Sequence, residues 1–133
     1  MKSARVFSVL FGVAALYDGL LGLAFLVGGN AVFARFGVTP PNHIGYVQFP
    51  AALLIVFAIM FGAIAAKPRQ NRHLIPYGIL LKVAFCGVVF WHWAQTGIPY
   101  MWKPFALADL LFLICFLLAY ARLAEKPAAP VSP

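Results

Sequence analysis

Four long apolar runs, each closed off by turn-forming residues, constrain this chain more than any other feature. A helix that crosses the hydrocarbon core of a bilayer needs about 20 apolar residues. The runs 6–28, 47–66, 74–95 and 105–124 each supply that length. Between them stand Gly28-Gly29-Asn30, Thr39-Pro40-Pro41-Asn42, Lys67-Pro68-Arg69-Gln70-Asn71 and Thr96-Gly97-Ile98-Pro99, with Lys126-Pro127 after the last. Such clusters punctuate the chain as loops. Pro50, Pro76 and Pro104 fall at or just before first helical turns, where a missing N–H costs little. Backbone groups in lipid must be satisfied within their own segment. The expected fold is therefore an all-α membrane protein: an antiparallel up-down bundle of four transmembrane helices over residues 1–126. The Pro- and Ala-rich end, 127–133, reads as a disordered tail.

Composition agrees with this setting. In 133 residues, 64% are hydrophobic, 10% are charged and the mean hydropathy is +0.93. These values point to one integral membrane domain with the lipid bilayer as its surroundings. A net charge of +7 could suggest nucleic acid, but the ten Lys and Arg form no basic patch with interleaved aromatics, so no nucleic-acid partner is expected. Topology accounts for them instead. Lys2, Arg5, Lys67, Arg69, Arg72, Arg122 and Lys126 fall on one side, Arg35 and Lys103 on the other, and Lys82 inside a run. Basic residues concentrate in cytoplasmic loops, so both termini are expected in the cytoplasm, with a bacterial inner membrane as the setting. Trp91, Trp93, Tyr100 and Trp102 then gather near the outer interface. The first run exceeds the ~7–15 residues of a signal-peptide core and reads as an uncleaved anchor. In the longest loop, Ala31-Val-Phe-Ala-Arg-Phe36 would suit a short interfacial helix.

Small residues foretell the close contacts. Gly12, Ala15, Gly19 and Gly22 recur at helical spacing, as do Ala51, Ala58, Gly62, Ala65 and Ala66 in the second run. Packing inside one bundle is their expected use; a homodimer or larger membrane complex is the alternative.

Ionisable residues inside the runs carry the functional question. Asp18, Lys82, His92 and Asp109 are each costly in hydrocarbon unless paired or hydrated. Counted from the outer ends at 1.5 Å per residue, Asp109 lies roughly 6 Å deep, His92 about 5 Å, Asp18 about 14 Å and Lys82 about 20 Å. The expected pairs are Asp109 with His92, and Asp18 with Lys82 as its structural charge partner across a flexible stem. Two roles follow. The pairs could act as interhelical glue, worth about 0.6–2 kcal/mol each. Alternatively Tyr17, Asp18, Gln48, His92, Gln95 and Asp109 line a polar cavity in the outer half that binds a small polar or amphipathic ligand or relays protons.

Specific chemistries find less support. His92 is the only histidine well inside a run, so paired haem ligands on facing helices are lacking, and no spacing suits a catalytic metal. Gly28-Gly29 opens no phosphate-binding loop, and the serines are Ser3, Ser8 and Ser132 alone, which leaves no credible nucleophilic triad. Cys86 and Cys115 lie inside apolar runs without a CxxC spacing and read as reduced core thiols. No catalytic residue and no metal site are expected, and independent enzymatic activity is not indicated.

The basic segment at Arg5, the first run around "YDGLLGLAFL", four spans in a short chain and Pro-bounded loops together resemble the DoxX-like small bacterial membrane proteins. The similarity lies in layout over nearly the whole chain. Members of that group are often linked to quinone-dependent oxidation, so the resemblance implies an accessory or small-ligand-binding protein in a quinone or electron-transfer system, with quinone or lipid as the bound molecule. The alternative is a proton-coupled small-solute transporter using Asp18 and Asp109.

Overall fold

The computed structural model describes residues 2–124, and the tail at 127–133 lies outside the described residues. Within them the chain forms α1 (Lys2–Arg35), α2 (Gly45–Ala66), a 3-10 turn (Arg72–Leu74), α3 (Ile75–Gln95) and α4 (Trp102–Arg122). All four α-helices are long and apolar enough to cross a membrane, so this is a multi-pass membrane protein built as an all-α four-helix bundle. Helix α1 packs most closely on α2, and α3 on α4; the two hairpins meet less tightly.

The helices are longer than the apolar runs at several ends. Helix α1 continues to Arg35 through one non-helical residue, Gly28 (φ −126°, ψ 28°). The segment expected to form a separate interfacial helix is thus joined to α1, and its Phe33 is buried against Phe25, with ring centroids 5.8 Å apart. The helix stops at Gly37 (φ +66°), where Val38 N–H donates to the Phe33 carbonyl and Gly37 N–H to that of Ala34. This closing motif needs a left-handed residue, and glycine adopts that conformation without strain. Helix α4 begins at Trp102, three residues before Phe105, and ends at Arg122. Pro76 and Pro104 occupy first turns as expected. Pro50 does not: it is the sixth residue of α2, so the Tyr46 carbonyl loses the N–H that would normally bond it.

Small residues bring α1 and α2 together, though fewer than the spacing suggests. A Cβ on Gly22 would lie 2.6 Å from the Ala51 carbonyl oxygen, and one on Gly19 would lie 3.4 Å from the Ala58 Cβ. Gly12 and Gly62 face open space. The Ser8 hydroxyl donates to the Ala65 carbonyl and fastens the other end of this hairpin. In the second hairpin Arg72 lies 3.8 Å over the Tyr120 ring, and its Nε–H donates to the Tyr120 carbonyl at 2.8 Å.

The main core fills the end of the bundle nearer the termini. Phe11, Ala14, Phe61, Ile64, Ile75, Phe116, Ala119 and Leu123 are fully buried there. Phe11 stacks on Phe116 at 4.7 Å, and Phe61 tilts against Phe116 at 5.2 Å. Gly78 admits the Phe61 ring, whose Cε1 stands 2.7 Å from where a Cβ would be. A second cluster, Phe25, Phe33, Ala51 and Met101, lies toward the loops joining α1 to α2 and α3 to α4. Trp102 turns into this cluster and stacks on Phe25 at 6.0 Å. The two cores leave the middle of the bundle to the charged residues.

Candidate functional site: a charged floor beneath an apolar cavity

Three ionisable side chains from three helices meet above the main core. The Lys82 ammonium on α3 donates to Asp18 Oδ1 and Oδ2 on α1, at 3.1 and 3.0 Å, and to Asp109 Oδ1 on α4 at 3.0 Å. Residue exposures of 1% for Asp18, 0% for Lys82 and 6% for Asp109 mean that these charges have almost no water to solvate them. Their mutual pairing replaces that solvation, and removing Lys82 leaves both carboxylates without a countercharge. Aromatic rings complete the seat: the ammonium lies 5.2 Å from the Phe112 centroid, 5.7 Å from Tyr17 and 5.9 Å from Phe61, within the range of cation–π attraction. Helix α2 contributes the Phe61 ring and no charge.

One expected pair is therefore present and the other is not. Asp18 meets Lys82, but Asp109 also bonds Lys82 and leaves His92 without a side-chain hydrogen bond among the described residues. Two geometric facts explain the exchange. The earlier start of α4 sets Asp109 seven residues into its helix, about 4.5 Å deeper than a start at Phe105 would, and so below His92, which stands three residues from the end of α3. His92, ten residues beyond Lys82, lies roughly 15 Å further along α3 and roughly 80° round its axis. The buried stripe of α3 runs through Ile75, Gly78, Lys82 and Cys86, and His92 sits off it, exposed.

Above this floor opens a cavity of about 990 Å³. Of the six residues proposed from the sequence, Tyr17, Asp18, His92 and Asp109 line it. Gln48 and Gln95 do not: both are exposed, and Gln48 Nε2 donates to the Leu26 carbonyl at 3.4 Å. The remaining walls are apolar and aromatic, with Phe25, Phe57, Phe85, Trp102 and Phe105 prominent. These wall residues carry no sequence signal that separates them from ordinary core. The three-way cluster did leave one: two carboxylates and a single lysine inside the runs cannot be matched one to one. Exposed lining residues Tyr46 and Leu53 on α2, and Ala84 and Val88 on α3, put the cavity's mouth between those two helices. The Tyr17 hydroxyl is buried and makes no hydrogen bond among the described residues.

Among the described residues no three His, Cys, Asp or Glu side chains converge as metal ligands, and Cys86 and Cys115 are both free thiols. What the arrangement offers chemically is an apolar chamber with a polar end. Comparison with protein-family models, with characterised proteins and with solved structures returns no match.

Proposed function

We propose that this protein binds a small amphipathic molecule within the membrane, its apolar body against the aromatic walls and its polar head over the Asp18–Lys82–Asp109 floor. The observation that carries the reading is the cavity itself: about 990 Å³, at the upper end of the range for small-molecule sites, mostly apolar, with a few convergent polar groups at one end. A mouth between α2 and α3 suits entry from the bilayer, where such molecules reside. The protein then acts as an accessory or ligand-holding component. The layout-level resemblance to DoxX-like proteins makes a quinone a ligand class to test. The surplus of one carboxylate over lysine supports a second reading, in which Asp18 and Asp109 serve a proton-coupled transporter.

Binding of decylubiquinone, decylamine and decanol to the protein in phosphatidylcholine nanodiscs, followed through tryptophan fluorescence, tests the first reading. Val88→Trp, which fills the mouth from an exposed position, should abolish binding while the melting temperature holds. No binding by any of the three, or equal binding by the filled variant, overturns it. Solute flux in proteoliposomes tests the second: loss of pH-dependent flux in Asp109→Asn supports transport, and an absence of flux in the wild type removes it.

The excess of Lys and Arg on the terminal side supports cytoplasmic termini and a cavity in the outer half of a bacterial inner membrane. In a background lacking Cys86 and Cys115, a Cys at position 43 should label from outside and one at position 69 should not. The reverse pattern inverts the orientation.

A further inference from the structure

We infer that the molecule held in this cavity is an amphipathic monocation, a free amine on an apolar body, whose ammonium docks on Asp109 beside Tyr17 and displaces one proton from the floor. The inference rests on the cavity being a ligand site, and adds the charge of the ligand to that reading.

Charge balance is the first support. Two carboxylates face one ammonium, so the floor carries one negative charge too many for an apolar surround. Such an excess is neutralised by one bound proton or by one other cation. Among the described residues that line the cavity there is no second fixed cation: Lys103 on α4 stands outside it, 5.5 Å from the Trp93 ring and 5.8 Å from Tyr100. Helix α1 brings Tyr17 and Asp18; α3 brings Lys82, Cys86 one turn on, and the exposed His92 further toward the mouth; α2 brings only Tyr46 at the rim. In the exchange, the proton leaves an Asp carboxyl for solvent as the ligand's ammonium takes its place, so the net charge of the site is unchanged.

Two unused atoms show where the ammonium would sit. Asp18 is closed, since both of its oxygens accept from Lys82 and it is 1% exposed. Asp109 gives Lys82 only Oδ1, and its Oδ2 accepts no hydrogen bond among the described residues. The carboxylate lines the cavity, as does Tyr17, whose buried hydroxyl has no partner. An ammonium arriving from the cavity would find Asp109 Oδ2 as its acceptor, with Tyr17 beside it in the lining. Aromatic rings favour a cation over a neutral head: Tyr17 and Phe105 line the cavity with Asp109, and the Tyr17 ring already lies 5.7 Å from the Lys82 ammonium. A carboxylate or phosphate would meet the same negative excess and be repelled.

Decylamine, decanol and decanoate share one apolar chain and differ in head charge, so their binding to the wild-type protein in phosphatidylcholine nanodiscs isolates the claim without needing any variant to fold. Decylamine should bind at least about tenfold more tightly than decanol. About one proton should appear per amine bound, read with an indicator dye in weak buffer, and decanoate should not bind. Asp109→Asn should reduce the amine to the affinity of the alcohol. Equal affinities for amine and alcohol, or amine binding without proton release, overturn the inference but leave the cavity reading intact; if neither binds, the inference falls, and the cavity reading falls with it only if decylubiquinone also fails to bind. Decylamine affinity should be the same in phosphatidylethanolamine nanodiscs. Suppression there would give the site to a lipid headgroup and overturn its assignment to a free amine.

Discussion

Replacing Lys82 with Met tests the centre of the bundle most directly. The substitution keeps an unbranched stem of similar length and removes the ammonium that bonds Asp18 at 3.0 and 3.1 Å and Asp109 at 3.0 Å. Breaking a buried pair by removing one partner costs about 3–5 kcal/mol, because the remaining charge is left without solvent or countercharge. Here the site holds two carboxylates and one ammonium, and a loss within that range is expected. The pattern of rescue is more telling than the size of the loss. If Lys82 served Asp18 alone, Lys82→Met with Asp18→Asn would recover nearly all of it. Because Asp109 shares the same ammonium, that double variant should recover only about half, and adding Asp109→Asn should bring stability to within about 1–2 kcal/mol of the wild type, the scale of neutral interhelical hydrogen bonds. Reversible unfolding in mixed micelles of dodecylmaltoside and dodecyl sulfate, followed by tryptophan fluorescence, measures all four forms. A double variant as stable as the triple would remove Asp109 from the cluster. Strictly additive effects would deny any coupling, since independent sites add and members of one network do not.

The other expectations use the same unfolding assay. Gly22→Ala should cost about 1–3 kcal/mol, because its new Cβ would press on the Ala51 carbonyl from 2.6 Å, whereas Gly12→Ala, with open space around it, should stay within about 0.5 kcal/mol; equal effects would contradict the α1–α2 contact. His92→Ala should leave stability within about 0.5 kcal/mol of the wild type, and a loss of several kcal/mol would restore a His92–Asp109 pair. Arg72→Met should weaken the α3–α4 hairpin by about 1–3 kcal/mol through the lost hydrogen bond to the Tyr120 carbonyl and the lost stacking at 3.8 Å; an unchanged midpoint would make that contact dispensable.

The division between sequence and tertiary structure follows from the range over which each constraint acts. Length, apolarity and turn residues determined four spanning helices, because lipid leaves a backbone no partner outside its own segment. Helix ends moved by several residues where Gly37 and Trp102, and not the edges of the apolar runs, set the stops and starts. The cost of bare charge in hydrocarbon also marked Asp18, Lys82 and Asp109 as inward-facing. Which of them meet was decided only by packing. The relative depth of α3 and α4, the turn of His92 away from the buried stripe and the long reach of a lysine stem are properties of helices set beside one another. Depth counted along single helices paired Asp109 with the wrong residue, since three residues of extra helix shift a side chain by about 4.5 Å. The cavity is likewise a tertiary product: its walls are ordinary apolar residues, made into a chamber by the looser meeting of two closely packed hairpins over a floor of charge.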